Sequence, residues 1–368
     1  MITVPVALGE RSYDIQLAAG ALDRVGTLIA PHLVGKKILV VADETVARLH
    51  GARLESSLQA AGLTVSIATF PAGELSKTVS TAERLWQSCA DAKIDRSDTI
   101  IAFGGGVSGD LAGYVAACWM RGVRFVQIPT TLLAMVDSSV GGKTGVNSAA
   151  GKNLVGAFKQ PVAVVIDPTL VSTMDPREYR AGLAEVLKYG VIRDPVFFAW
   201  QETFATELER GDADAVAHAV AESCKLKAWY VAEDETEQGV RAHLNYGHTF
   251  GHALERETNY TRFLHGEAVG IGMRMAVDLA RRSGLLIDHD LPRRQDELLK
   301  RYRLPLVHTA REPQATARAL AGHCALDKKV SKGRTRFVLP SRIGSVSMVE
   351  APETAAVEAA FLAGIAPG

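Results

Sequence analysis

Cysteine is scarce, with four residues (Cys89, Cys118, Cys224, Cys324) set far apart and no Cys-x-x-Cys pair. That excludes a zinc knuckle and a disulfide framework and fits a reducing cytosol. An excess of either charge is also missing, because Lys+Arg and Asp+Glu number 41 each. No global field therefore recruits nucleic acid or an acidic membrane, although charge can still gather in a cleft. No apolar run approaches the roughly 20 residues that span a bilayer. The opening MITVPVALGERSYDI lacks the basic region and apolar stretch of a secretion signal. Internal repeats and low-complexity tracts are absent too. What is present is 47% hydrophobic and 22% charged residues in a chain of 368, enough for about two domains with ample core. The expectation is a cytoplasmic, soluble protein.

The first half alternates short β-branched runs with amphipathic stretches. Lys36–Asp43, Thr64–Phe70, Asp98–Gly105, Arg124–Thr130 and Val162–Asp167 read as buried parallel strands. Between them lie helical patterns such as ETVARLHGARLESSLQAAG, which ends on Gly62. That rhythm predicts an α/β Rossmann-like domain with a parallel sheet over residues 1–167. After Pro168 the texture turns helical, with almost no strand signal until TRFVLP near Thr335, so residues 168–368 are expected to form a mostly α-helical domain.

Two glycine-rich loops stand out in the first half. In IIAFGGGVSGDLAGYVA, Gly104, Gly106 and Gly109 form G-x-G-x-x-G after a predicted strand and before a predicted helix. Such glycines let backbone approach a pyrophosphate, and the helix N-terminus supplies free N–H groups and a positive dipole. Asp43, ending an earlier strand, suits the acidic ribose-binding role. In DSSVGGKTGVN, the run Gly142-Lys143-Thr144 imitates a P-loop, but Asp137 stands where that motif needs glycine, and a carboxylate there repels phosphate. The P-loop reading is rejected, while Lys143 remains a candidate anion ligand, as does the lysine of the nearby Gly151-Lys152-Asn153.

The helical half carries LNYGHTFGH, in which His248 and His252 share one helix face. A zinc-protease helix would need glutamate after the first histidine, and here Thr249 stands there, with the helix breaker Gly251 before the second. Other groups keep a metal in view. His265 precedes a helix of small and apolar residues, and Glu185 and Lys188 lie three apart on an otherwise apolar helix. Buried charges are costly unless they serve a partner. One carboxylate with two or three histidines suits Zn²⁺ with an open position. Lys227, Arg241 and Asn245 lie nearby in sequence and could hold an anion. A metal beside a dinucleotide suggests oxidation of a hydroxyl.

Over nearly its whole length the sequence resembles the 3-dehydroquinate synthases, within the sugar-phosphate cyclases. The motifs are GELSKT, GGGVSGDLAGYVA, IPTTLLAMVDSSVGGKTGVN, GKNLVGAF, AGLAEVLKYG, RAHLNYGHTFGHALE, LHGEAVGIGM and LDKK, none departing from the family pattern. The resemblance implies a Rossmann-like domain followed by a helical one, with the active site between them. It implies NAD bound by Asp43, Glu74, Lys77, Gly105, Gly106, Val107, Asp110, Thr130, Thr131, Asp137, Lys143, Lys152 and Thr173. It implies Zn²⁺ (or Co²⁺) held by Glu185, His248 and His265, with His252 on the substrate side. Substrate contacts fall to Asp137, Lys143, Lys152, Asn153, Lys188, Lys227, Arg241, Leu244, Asn245, His252 and a lysine of the DKK run, Lys328 or Lys329. Of these, Lys143, Lys188, Lys227, Arg241, Asn245 and His252 take the catalytic roles. Arg121 matches an arginine that reaches the neighbouring subunit's phosphate, which implies a homodimer.

The implied reaction turns 3-deoxy-D-arabino-heptulosonate 7-phosphate into 3-dehydroquinate and phosphate, in aromatic amino-acid biosynthesis. It runs through transient oxidation at C5, β-elimination of phosphate, return of the hydride, ring opening and an intramolecular aldol closure. Cyclases acting on sedoheptulose 7-phosphate or glucose 6-phosphate have no substrate carboxylate, and typically differ at Arg241 and Asn245. A metal-dependent alcohol dehydrogenase of the glycerol dehydrogenase type would lack the lysines of GGKTG and GKN and release NADH stoichiometrically. A binding module would need no hydride carrier beside a metal.

Overall fold

The computed structural model describes residues 1–326, 335–350 and 352–368. It comprises two compact units, each discontinuous in sequence: Met1–Met174 with Val216–Thr236, and Asp175–Ala215 with Glu237–Gly368.

In the first unit the strands are β1 (Ile2–Val6), β2 (Tyr13–Leu17), β3 (Lys37–Asp43), β4 (Thr64–Phe70), β5 (Thr99–Gly104), β6 (Arg124–Pro129), β7 (Lys143–Ser148), β8 (Gly151–Phe158) and β9 (Ala163–Ile166). Seven of them form one sheet in the order β1-β2-β9-β6-β5-β3-β4. Its pairs are parallel except β1 with β2. The five strands expected from sequence are all present, and their apolar runs explain it: every residue of β5 and of β9 is buried. From β3 the chain goes to β4 on one side, and then returns to β5 on the other. The C-terminal ends of β3 and β5 therefore flank a topological switch point, where open α/β sheets bind ligands. The loops around Lys143 and Asn153 are in fact an antiparallel hairpin, β7 with β8. Their polar, glycine-rich composition hides the strand pattern, since Gly145 and Gly156 are there for backbone approach: a Cβ on Gly156 would sit 2.1 Å from the Thr144 carbonyl oxygen.

The segment Val216–Thr236 belongs to the first unit through specific bonds. Lys227 Nζ lies 2.5 Å from Asp137 Oδ1, Cys224 Sγ donates to the Met135 carbonyl, and Glu235 accepts from Arg11 and Gln160.

The second unit is mainly helical, with two small sheets, β10 (His308–Ala310) with β13 (Ile365–Pro367) and β11 (Arg336–Arg342) with β12 (Ser345–Glu350). The helix Pro176–Ile192 begins at Asp175, whose carboxylate accepts from the Arg177 and Glu178 N–H groups, with proline at the first turn. From Ala181 to Ile192 it is buried on all sides, as a helix apolar all round must be. Three helices meet along glycines. A Cβ on Gly266 would fall 1.8 Å from the Ala181 carbonyl oxygen, and one on Gly272 would fall 2.1 Å from that of Gly247. Gly251, expected to break a helix, lies inside His248–Glu257, and a Cβ there would meet the Ala268 backbone at 3.1 Å. The helices His248–Glu257 and His265–Arg282 thus touch backbone to backbone, which no larger residue permits. Among the described residues, no helix is long and apolar enough to cross a membrane.

Candidate functional site

In the second unit, the glycine contacts bring together three ligand-type side chains. Glu185, on Pro176–Ile192, is fully buried, and His248 and His265 open the two glycine-packed helices. One atom from each lies within 4.8 Å of the others. His248 Nε2 is 3.5 Å and His265 Nε2 is 3.6 Å from Glu185 Oε1. Ligands at zinc distances in a tetrahedron are about 3.4 Å apart, so the spacing matches. Among the described residues neither carboxylate oxygen of Glu185 accepts a hydrogen bond, although Lys188 Nζ lies against Oε2 as an ion pair. A buried carboxylate without hydrogen bonds is costly. His248 Nδ1 meets the Tyr246 carbonyl oxygen at 3.1 Å, which turns Nε2 towards Glu185. Burial, reinforced by Lys188, His265 and His252, holds the His248 pKa well below its ordinary value, so the ring is neutral and can ligate.

His252 is exposed, edge-on to His248 (ring centroids 5.6 Å) and stacked on His265 (5.9 Å). The shared helix face read from sequence is real, yet His252 is outside the Glu185 cluster and falls in a second one, with Glu255 and His265. In the same unit Lys188, Arg241 and Leu244 are buried, and Asn245 Nδ2 donates to Glu237 Oε1 at 2.6 Å. Arg241 is 2% exposed, so its charge acts on whatever it faces with little screening by water.

In the first unit, Asp43 ends β3, and its Oδ1 accepts from the Thr45 and Val46 N–H groups at 3.0 Å, capping the helix Glu44–Ala60. The other oxygen faces the glycine loop, since a Cβ on Gly104 would be 3.2 Å from Oδ2 and 2.3 Å from Ser108 Oγ. Gly104 has φ +150°, and Gly105 is the N-cap of the 13-residue helix Gly106–Cys118, with no side chain capping it. The first N–H groups of that helix, Gly106 and Val107 included, are thus left for an anion. Two buried hydroxyls of this region, Ser108 Oγ and Thr130 Oγ1, have no hydrogen-bond partner among the described residues. Thr131 Oγ1 accepts from Ala134 N, and Thr173 Oγ1 is 2.9 Å from His50 Nε2.

A polar network seats the β7–β8 hairpin. Lys77 Nζ bonds Asp110 (2.5 Å) and Asn153 (2.6 Å), Asn147 donates to Glu74 (2.7 Å), and Lys152 Nζ is 3.9 Å from Glu74. Burial raises the Asp110 pKa, with Lys77 opposing. Asn153 holds a left-handed backbone (φ +57°), and so do Met120 (+48°) and Arg121 (+68°). Lys143 opens β7 and is exposed. Lys328 and Lys329 lie outside the described residues.

Family models described as 3-dehydroquinate synthase N-terminal and 3-dehydroquinate synthase C-terminal match residues 67–181 and 182–330. The chain belongs to the 3-dehydroquinate synthase family. It is 50% identical to the 3-dehydroquinate synthase of Rhodospirillum rubrum over 365 residues, covering 98% of this chain and 94% of that one. Among solved structures it is similar to ValA, a 2-epi-5-epi-valiolone synthase from Streptomyces hygroscopicus subsp. jinggangensis 5008 with NAD⁺ and Zn²⁺ bound (TM-score 0.85, 30% identity, 97% of each chain). It is also similar to a 2-deoxy-scyllo-inosose synthase complexed with carbaglucose-6-phosphate, NAD⁺ and Co²⁺ (TM-score 0.85, 25% identity, 99% and 100% covered).

Three further residues bond to side chains that the 3-dehydroquinate synthase motifs carry: Asn147, Glu237 and Glu255. Asn147 and Glu237 hold Glu74 and Asn245, and their partners, 73 and 8 residues away, are not legible from sequence. Glu255 had a signal, since it lies three residues after His252 on the same helix face.

Proposed function

We propose that this chain converts 3-deoxy-D-arabino-heptulosonate 7-phosphate into 3-dehydroquinate and phosphate, with NAD⁺ at the β3–β5 switch point and Zn²⁺ or Co²⁺ on Glu185, His248 and His265. The observation that carries it is the Glu185 carboxylate, buried beside Lys188 with no hydrogen bond among the described residues, and facing two imidazoles at metal-ligand spacing, in a chain half identical to a 3-dehydroquinate synthase. The buried hydroxyls of Ser108 and Thr130 and the uncapped helix at Gly105 support the dinucleotide in the same way. When bound, the dinucleotide supplies a reversible hydride acceptor and the divalent ion a Lewis acid for a substrate hydroxyl.

The chain's own residues do the rest. Arg241 pairs with the substrate carboxylate as a planar fork, joined by Lys227. Arg241 and Asn245 separate this substrate from sugar phosphates without a carboxylate. Lys143, Lys152 and Asn153 of the hairpin bind the phosphate and stabilise it as it leaves, while the departing phosphate takes the C6 proton. His252 and Lys188 orient the reacting hydroxyls and handle their protons. Aldol closure follows in the conformer these contacts hold. The protein works in the cytoplasm as a homodimer, with Arg121, strained on an exposed turn, reaching the neighbour's phosphate.

Two measurements check this. With NAD⁺ far below substrate concentration, phosphate accumulates stoichiometrically with substrate while absorbance at the NADH band stays flat. Steady NADH build-up instead moves the protein to the dehydrogenases. In analytical ultracentrifugation the protein sediments at twice its 39.4 kDa chain mass, and a monomer at assay concentration removes the role given to Arg121.

A further inference from the structure

We infer that Glu255 is a positioning residue for His265, fixing which ring nitrogen faces the ion; the inference rests on the metal-ligand reading of Glu185, His248 and His265. Glu255 is on the helix His248–Glu257 and only 7% exposed. Its Oε2 lies 3.4 Å from His265 Nδ1, while Nε2 of the same ring is 3.6 Å from Glu185 Oε1. The imidazole thus has a carboxylate at each nitrogen. A neutral ring carries one N–H, and a proton on Nδ1 satisfies Glu255 and leaves the Nε2 lone pair aimed at the Glu185 side. His248 follows the same plan with the Tyr246 backbone carbonyl as its acceptor.

The two histidines therefore differ in what stands behind them, a neutral dipole for one and a charge for the other. A carboxylate acceptor makes its histidine the more basic ligand. The grouping of His252, Glu255 and His265 within 4.8 Å is accordingly the outer layer of one site. As a second metal site it would need His265 to give lone pairs from both nitrogens, and so to lose its ring proton.

The test uses the full-length protein and Zn²⁺ in competition with a chromophoric chelator, with absorption of the Co²⁺-loaded protein as a second readout. Glu255→Ala binds one ion per chain with affinity lowered about 10–100-fold, the range for lost outer-layer partners, and shifts the Co²⁺ ligand-field bands. Glu255→Gln keeps an oxygen acceptor in the same volume and loses less. If Glu255→Ala does not fold, Glu255→Gln carries the test, because its shape is unchanged. Folded variants that bind Zn²⁺ within about twofold of the parent overturn the inference, as does a parent binding two ions per chain with one lost in either variant. A Glu185→Ala protein that keeps full Zn²⁺ affinity sinks the ligand assignment itself, which separates that failure from this one.

Discussion

His248→Ala protein emerges from gel filtration without metal and turns over at least about 10³-fold more slowly, the loss expected when a Lewis acid worth several kcal/mol is removed. His252→Ala keeps one ion per chain and loses about 10²–10⁴-fold in turnover, as removal of a proton-handling group does. The two residues share a helix face, so the difference is one of depth and anchoring. His248 is buried with Nδ1 held by Tyr246 and Nε2 at Glu185, while His252 is exposed, with its ring against those of His248 and His265. Elemental analysis of both variants after extensive buffer exchange decides the matter. Equal metal loss from the two would show that the pair ligates together.

Gly266→Ala is expected to destabilise the protein by about 3 kcal/mol or more, the upper part of the overpacking range. It should also weaken metal binding more than tenfold. The new methyl would meet backbone, at 1.8 Å from the Ala181 carbonyl oxygen, and neither helix can yield by a rotamer change. The helices must part, and they carry Glu185 and His265. Gly270→Ala is the control on the same helix. There the methyl meets only the end of Leu299, at 3.3 Å, and alanine is the better helix former by up to about 1 kcal/mol. Urea unfolding should place Gly270→Ala at or above the parent and Gly266→Ala far below it. Similar midpoints for the two would mean that the seam tolerates separation.

Much of this was legible in the chain. Buried strands announce themselves as β-branched runs, and Lys37–Asp43 or Thr99–Gly104 could hardly be anything else. The helix Pro176–Ile192 carries its own cap at Asp175. Cluster chemistry was legible as well, since a charged pair at 185 and 188 on an apolar helix demands a partner. The misreadings share one cause, which is that glycine has two uses. Gly251 reads as a breaker and is a contact, and Gly145 reads as loop and is strand. Local sequence cannot tell which use applies, because the answer lies in the backbone that approaches from elsewhere. The same holds for Lys77, whose partners Asp110 and Asn153 lie 33 and 76 residues on.

The discontinuity of the first unit has a consequence for how the protein is made. Its last piece, Val216–Thr236, follows Met174 only after residues 175–215 of the other unit. At ribosomal rates of about 5–20 residues per second, that delay is several seconds. For that interval Asp137 waits for Lys227, and Arg11 and Gln160 wait for Glu235. Neither unit is therefore complete before part of the other has been made. The nascent chain holds all seven strands of its main sheet for those seconds before the helix that bonds to their loops has been made.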